Sequence, residues 1–327
     1  MNGELSLTIG YFGKLPGRGD FLKSAGPNHQ LVATLDRWAG QALELLAQDV
    51  NWKQLYDQAP ALDFALLGSR SRQALAGHLR PSTDTSGRRY PFMAAVSMDV
   101  PQPLAFLSRS PIAFSRVWAR LERETRVAAA AADPVEPLAA MREHRANVNV
   151  LYETLNPAFQ DFLEMQTLEA LEARLAAAGH AVSLRRILLA LGILLQPVMA
   201  SSAARIGKGL LLPLPADPLY RNLVAALWLD LIAGFLARAD FELLVILAGG
   251  AQPVLAVGFN GLQGRALQAR LDTRIAEHDH IPLLDPDWVE DHVADNATLR
   301  KLATYGAQGN LALRTARNTF RETFLGA

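Results

Sequence analysis

The chain has 327 residues, of which 50% are hydrophobic and 20% charged. This length exceeds that of most single hydrophobic cores and is sufficient for two domains. Lysine plus arginine and aspartate plus glutamate both number 32, and this balance argues against a strong sequence-independent attraction to nucleic acid or to an anionic membrane. The absence of cysteine excludes disulfides, thiolate zinc sites, iron–sulfur clusters and a cysteine nucleophile.

The sequence predicts neither a leader nor a membrane span. The N-terminus lacks a basic segment followed by a long apolar one, which a signal peptide requires. The longest apolar run, Ile187 to Leu195, is about half of the ~20 residues that a membrane helix needs. We therefore expect a cytoplasmic protein without membrane insertion.

The first distinctive segment is a glycine-rich loop that follows a predicted strand, Leu5–Phe12. It lies within Ile9-Gly-Tyr-Phe-Gly-Lys-Leu-Pro-Gly-Arg-Gly-Asp-Phe-Leu22, and its glycines permit sharp turns because glycine reaches positive φ without steric cost. Its charged or conformationally restricted residues are Lys14, Pro16, Arg18 and Asp20. These residues alone leave open whether the loop holds a ligand, holds a partner or is a locked connection.

The loop superficially resembles a phosphate cradle. A Walker loop requires G-x-x-x-x-G-K-[ST], in which a hydroxyl beside the lysine holds Mg²⁺. In this chain Arg18-Gly-Asp20 stands where the motif requires G-K-[ST], so no hydroxyl is present to hold Mg²⁺. The dinucleotide-binding pattern G-x-G-x-x-G is also absent. Nucleotide binding, or an enzyme that uses this loop, is kept as the alternative to protein binding.

A helix and three strands are predicted next. Leu31, Leu35 and Trp38 recur at spacings of four and three, as on one helical face, and the helix is predicted to open at Pro27-Asn28. The first two strands are predicted to be antiparallel because only a few residues separate them. The three strands cover Asp63–Gly68, Ala74–Leu79 and Phe92–Met98.

A second polar turn, Arg80–Phe92, is rich in Ser, Thr, Asp and Gly and feeds the third strand. Asp84 or Ser86 most simply caps its own turn, and Arg88 and Arg89 most simply pair with carboxylates. Asp20 is an attractive partner for one of the two arginines. If the two polar loops meet at one end of the sheet, a single charged patch forms from Lys14, Arg18, Asp20, Asp84 and Arg88.

A change of composition over Val127–Pro137 follows a predicted helix, Leu104–Arg126. We place a domain boundary there, between an N-terminal domain of residues 1–130 and a C-terminal domain of residues 131–327. The predicted class is α/β of the α+β type, with a mostly antiparallel sheet flanked by helices in the first domain and a second helix-rich α/β domain. The later elements are predicted as strands Lys208–Pro213, Phe241–Leu247 and Pro253–Phe259, helices Asp217–Ala239 and Gly261–Leu271, and two short helices within Asn296–Leu325.

The segment His278–Asp295 is predicted to be a loop rich in aspartate and histidine. Its side chains have the chemistry of metal ligands, but their spacing matches no mechanistic motif such as H-E-x-x-H, which favours a solvated acidic loop. No G-x-S-x-G occurs to indicate a nucleophilic serine. The sequence therefore predicts no catalytic residue, no metal and no cofactor.

Three blocks in the first hundred residues together resemble the TagF family, also called ImpM, of bacterial type VI secretion. They are Gly10-Tyr-Phe-Gly-Lys-x-Pro16-x-x-Gly-Asp-Phe21, Leu35-Asp-Arg-Trp38, and Ser82-x-Asp-x-x-Gly-Arg88 with Pro91-Phe92. The second half is similar, more weakly, to the C-terminal extension of longer members. That similarity rests on Leu211-Leu-Pro-Leu214, Ala226-Leu-Trp-Leu229 and Val257-Gly-Phe259.

The resemblance implies a non-enzymatic cytoplasmic regulator that represses assembly or firing of the secretion machine after translation. In some systems such proteins act through a forkhead-associated scaffold. Apart from the resemblance, the sequence leaves open a purely structural adaptor held by the apolar C-terminal domain, with a homo-oligomer as one form of it. We expect exposed apolar residues such as Tyr11 or Phe12 beside the charged patch. The resulting candidates for partner binding are Lys14, Pro16, Arg18, Asp20, Ser82, Asp84 and Arg88.

Overall fold

A computed structural model describes residues 3–24, 29–200 and 206–326. The strands are β1 (Glu4–Thr8), β2 (Gly10–Gly13), β3 (Leu22–Lys23), β4 (Leu62–Gly68), β5 (Gln73–Arg80), β6 (Phe92–Asp99), β7 (Arg145–Asn149), β8 (Gly209–Pro213), β9 (Glu242–Ala248), β10 (Val254–Gly258) and β11 (His280–Pro282). The helices are α1 (His29–Leu46), α2 (Trp52–Gln58), α3 (Pro103–Ala130), α4 (Val135–Glu143), α5 (Tyr152–Met165), α6 (Leu168–Ala177), α7 (Leu184–Ala200), α8 (Pro218–Ala233), α9 (Gly264–Leu271), α10 (Ala276–Asp279), α11 (Val289–Asp295), α12 (Ala297–Gly306) and α13 (Leu313–Leu325).

One large sheet organises these elements. Its nine strands lie in the order β11-β8-β10-β9-β4-β5-β6-β2-β3, and β1 with β7 forms a separate antiparallel pair. Within the large sheet β11 and β8 run parallel, and the other neighbours run antiparallel. The prediction of an α+β fold with a mostly antiparallel sheet is confirmed.

The sheet separates two hydrophobic cores because successive side chains of a strand point to opposite faces. In β4, Phe64 faces the core formed with α1, α2 and α9, whereas Ala65 faces the larger core formed with α3 and α8. In β9, Leu244 and Val245 divide in the same way. Helices therefore cover both faces, which places the connecting loops at the ends of the strands.

Strands from both sides of the predicted boundary at residue 130 form this one sheet. α3 ends at Ala130, and β4 pairs with β9 over seven residues, from Leu62 opposite Ala248 to Gly68 opposite Glu242. The division of the chain into two folding units stays a prediction.

Two predicted segments differ from the structure. The strand predicted over Leu5–Phe12 is two strands, since β1 pairs with β7 whereas β2 pairs with β6 in the large sheet. The loop predicted over His278–Asp295 contains β11 and α11, because Ile281 lies opposite Leu210 of β8 and extends the sheet. The predicted helix start at Pro27-Asn28 lies outside the described residues.

One helical segment among the described residues, Pro218–Leu236, is long and apolar enough to cross a membrane. Most of its 18-residue window, 67%, is buried within the protein. This helix packs against α3, so its apolar surface has a partner in the interior. Length and composition alone are weak evidence of a span.

Candidate functional site

The two polar loops singled out in the sequence meet at one end of the large sheet. The Lys14 ammonium donates a hydrogen bond of 2.8 Å to Asp84 Oδ2. The backbone N–H of Thr85 donates to the carbonyl of Arg18 at 3.1 Å, and Arg88 Nη2 donates to the carbonyl of Gly19 at 2.8 Å. These three contacts, which we call the loop clamp, hold the glycine loop against the second turn.

Glycine is required where the first loop leaves β2. Gly13 has φ of 121°, which side chains rarely allow, and a Cβ there would lie 2.0 Å from the carbonyl oxygen of Pro91. A Cβ at Gly17 would lie 2.5 Å from the carbonyl oxygen of Ala132. These glycines serve close backbone packing, which supports the locked-connection interpretation of this part of the loop.

Asp84 organises the second turn from a fully buried position. Its Oδ1 accepts hydrogen bonds from the backbone N–H groups of Ser86 and Arg88 at 3.0 and 2.9 Å, as predicted for a residue that caps its own turn. Its Oδ2 accepts from Lys14 and from Arg88 Nε at 2.8 and 2.7 Å. The Lys14 hydrogen bond is the main cause that holds the pKa of Asp84 well below its usual range, against the effect of burial.

Ser82 fixes the start of the same turn through its backbone. The Tyr56 hydroxyl donates to the Ser82 carbonyl at 3.1 Å and accepts from the Ser82 N–H at 2.9 Å. Burial is the main cause that raises the pKa of Tyr56, so this hydroxyl keeps its proton. Ser82 is itself buried, and it anchors the turn without presenting its side chain to a partner.

The remaining candidates lie at the surface. Pro16, Asp20 and Arg88 are exposed, and Arg18 is 40% exposed while it pairs with Asp133 at 3.0 Å. We call Pro16, Arg18, Asp20 and Arg88 the loop face.

Asp20 does not pair with Arg88 or Arg89 as expected. Arg88 is bound by Asp84, and Arg89 Nε donates to Asp57 Oδ1 at 2.8 Å. Within the part of the chain that the structure describes, Asp20 forms no ion pair, so its charge faces solvent.

The expectation of exposed apolar residues at Tyr11 or Phe12 is wrong. They are only 4% and 1% exposed, because β2 lies inside the sheet between β6 and β3. A hollow of about 240 Å³ next to the loop face supplies apolar surface instead, with Pro16, Pro81 and Ala129 in its lining.

A buried ion cluster that the sequence did not predict lies between the helices. Arg109 of α3 is completely buried, and its Nη1 donates to Asp230 Oδ1 of α8 at 2.8 Å. Arg317 of α13 donates to Asp230 Oδ2 at 2.6 Å, and Asn156 Oδ1 of α5 accepts from Arg109 Nη2 at 2.9 Å. Burial alone raises the pKa of Asp230, but Arg317 and Arg109 together outweigh it and lower the pKa. The cluster is internally paired and joins four helices.

The aspartate- and histidine-rich segment is held by ion pairs to α7. Glu290 accepts from Arg185 Nη1 at 2.6 Å and from Arg186 Nε at 3.1 Å, and the Arg185 hydrogen bond is the main cause that lowers the pKa of Glu290 to about 2. Asp285 pairs with Arg186 at 3.0 Å. Over the described residues, no group of three or more histidine or carboxylate side chains is arranged to hold a metal ion.

Comparison with known proteins gives one match that agrees with the resemblance noted in the sequence. Residues 10–144 match the model of the TagF N-terminal domain, described as type VI secretion system-associated. No curated protein matches the chain. Among solved structures, PA0076 from Pseudomonas aeruginosa PAO1 is 25% identical with a TM-score of 0.35, over 42% of this chain and 60% of that one. The match spans less than two thirds of that relative.

Proposed function

We propose that this protein represses the type VI secretion machine by binding one of its protein components, because residues 10–144 match the model of the TagF N-terminal domain. It acts in the cytoplasm after translation, without catalysing a reaction. The component is a scaffold of the machine, with a forkhead-associated protein as the first candidate. The loop face is the surface that docks.

The observation that supports this proposal is the loop clamp. Lys14 and Asp84 neutralise each other in the interior, so the loops are fixed before any partner arrives. A preorganised surface loses little conformational entropy on binding. The charges left outside, on Arg18, Asp20 and Arg88, set the orientation and the rate of encounter, while the hollow next to Pro16 takes an apolar side chain of the partner.

The same geometry disfavours the nucleotide alternative. A phosphate-binding loop needs a lysine whose ammonium is free to reach the phosphates, and the Lys14 ammonium is bound by a buried carboxylate. Gly17 packs against the carbonyls of Ala131 and Ala132, so this part of the loop is occupied by protein backbone. A bound nucleotide would have to break the loop clamp.

The test uses the full chain with two substitutions, Arg18→Glu with Asp20→Arg, which leave the loop clamp in place because Arg18 takes part in it only through its backbone carbonyl. Among the described residues, Arg18 makes one exposed ion pair and Asp20 makes none, so the fold should be retained. Arg300→Glu, at an exposed position of α12, is the matched control. Each tagged protein is expressed in a secretion-competent strain that lacks the native gene, and captured components are identified by mass spectrometry.

We expect the wild type and Arg300→Glu to capture a secretion component and to repress secretion. The double variant should bind at least about tenfold more weakly, the size expected for reversing charges at an interface, and secretion should rise. A folded double variant that binds normally contradicts the loop face as the docking surface. Failure of the wild type to capture any secretion component contradicts the proposed function itself.

A further inference from the structure

A groove whose lining shares no residue with the loop face lies beside α3. It runs between α3, the strand β7 and the start of α5, and has a volume of about 800 Å³. Ile112, Ala113 and Leu155 give it an apolar floor. The groove shares no residue with the loop face, so its role is independent of the function proposed above.

One wall of the groove carries a row of arginines. Arg116, Arg120 and Arg123 are spaced by four and three residues on α3 and therefore share one helical face. Arg116 is exposed and, among the residues described here, has no ion-pair partner. Arg120 and Arg123 share Glu124 at 3.6 and 3.8 Å, and that carboxylate is also bound by His144 at 2.8 Å.

The positive charge of the wall is therefore only partly compensated. Among the described residues that line the groove, Glu4 is the one carboxylate, against three guanidinium groups. Arginine forks match the geometry of carboxylates and bind them through two parallel hydrogen bonds. The groove is complementary to a ligand that carries several carboxylates.

The opposite wall is an open strand edge. The Val150 N–H donates to the Gly3 carbonyl at 3.0 Å, in the same register that pairs Val148 with Leu5. Hydrogen-bonded pairs alternate along an antiparallel ladder, so the backbone groups of Asn147 and Asn149 point away from β1. Both asparagines line the groove, and β1 is the one strand paired with β7 in the described structure.

We propose that this groove binds an extended acidic segment of a partner protein. The segment adds to the edge of β7 as a strand, through the outward backbone groups of Asn147 and Asn149. Its alternate carboxylates pair with Arg116, Arg120 and Arg123. A second copy of the chain is a poor occupant, because its own β7 would bring Arg145 toward this basic wall.

The charge arm of the test uses a fluorescein-labelled octapeptide of alternating glutamate and valine, and fluorescence anisotropy with the full chain. A peptide of alternating glutamine and valine is the matched ligand control. Arg116→Glu with Arg123→Glu should weaken binding of the acidic peptide at least about tenfold, as expected for reversed interface charges. Arg126→Glu reverses the same kind of charge at an exposed position of the same helix, outside the groove lining, and should bind normally.

The strand arm uses Asn147→Pro. Proline removes the N–H that points into the groove and leaves the ladder to β1 intact, because that N–H takes no part in it. Binding should fall as in the arginine variant, and Asn147→Thr, which keeps the N–H, should bind like the wild type. In the wild-type complex, hydrogen exchange should slow at Asn147 and Asn149.

Several results would overturn this proposal. They are no binding of the acidic peptide at millimolar concentration, equal binding of the glutamine peptide, equal loss in Arg126→Glu, or normal binding by folded Asn147→Pro. Sedimentation that shows a dimer lost in Asn147→Pro would assign the edge to a second copy instead. Arg18→Glu with Asp20→Arg should bind the peptide normally. This result distinguishes a failure of the groove proposal from a failure of the loop face as the docking surface.

Discussion

Lys14 and Asp84 are 70 positions apart in the sequence, and their side chains form a hydrogen-bonded ion pair of 2.8 Å at the end of the large sheet. The carboxylate is fully buried and also binds Arg88. This pair makes one surface out of two loops, and its removal should affect both stability and docking.

Asp84→Asn should lower the thermal stability of the protein at neutral pH. The amide leaves two cations without their buried counter-charge and offers one acceptor oxygen where the carboxylate offers two. Thermal unfolding measures the effect. Asp57→Asn, which breaks a half-exposed pair with Arg89, is the control and should lower Tm much less.

The effect of Asp84→Asn should depend on pH in one direction. Because folding lowers the pKa of Asp84, the unfolded chain binds this proton more tightly, and stability from the carboxylate is complete above the ordinary aspartate pKa of about 3.9. It is lost as the pH falls below that value toward the lowered pKa. The difference in Tm from the wild type should be constant from about pH 8 to pH 5 and shrink below about pH 4. A difference that grows in acid contradicts the ion pair.

Gly13→Ala should be much more destabilising than Gly87→Ala. Both glycines have positive φ, but a Cβ at Gly13 collides with the Pro91 carbonyl, whereas one at Gly87 meets nothing within 4 Å. Backbone strain plus the collision should cost about 3 kcal/mol or more, against about 1 kcal/mol for strain alone. Urea unfolding measures both, and equal losses would show that the β2 turn relaxes freely.

Arg109→Met should reduce the free energy of unfolding by about 3–5 kcal/mol, the usual cost of breaking a buried ion pair from one side. It removes the contacts to Asp230 and Asn156 and leaves part of a buried polar cluster unpaired. Arg314→Met, in an exposed pair with Glu164, is the control and should cost about 1 kcal/mol or less. Similar losses in the two variants would mean that the cluster carries no special stability.

Tyr56→Phe should cost about 1–3 kcal/mol, because the buried N–H of Ser82 loses its acceptor, while the Ser82 carbonyl keeps only the N–H of Tyr90. Urea unfolding gives the free energy. Tyr305→Phe, at an exposed hydroxyl, should stay within about 0.5 kcal/mol of the wild type. If the two tyrosine variants unfold alike, the Ser82 backbone is satisfied by water after the substitution.

Local patterns predicted much of the fold. The antiparallel strands β4 and β5, the third strand β6 and the two C-terminal helices were predicted from apolar runs, alternation and glycine punctuation. β7 was missed although Arg145-Ala-Asn-Val-Asn149 alternates polar and apolar residues as an edge strand does. The alternation was present in the sequence, but it covers only five residues, which is too short to indicate a strand by itself.

The sequence indicated which two loops form the candidate site, but it did not predict most of the contacts between their side chains. The capping role of Asp84 follows from local chain geometry, whereas its pairing with Lys14 depends on the order of strands in the sheet. The burial of Arg109 has no local signal, since it arises only when α8 and α13 bring Asp230 and Arg317 to it. Long-range ion pairs of this kind require the tertiary fold.

The pairing of β4 with β9 has a consequence for how the polypeptide can be divided. Scission after Ala130 would strip both strands of a seven-residue ladder and uncover two apolar edges at once. Two such fragments, produced together in one cell, should recombine through these complementary edges and restore the parent molecule. The junction is thus a natural place to engineer a split reporter.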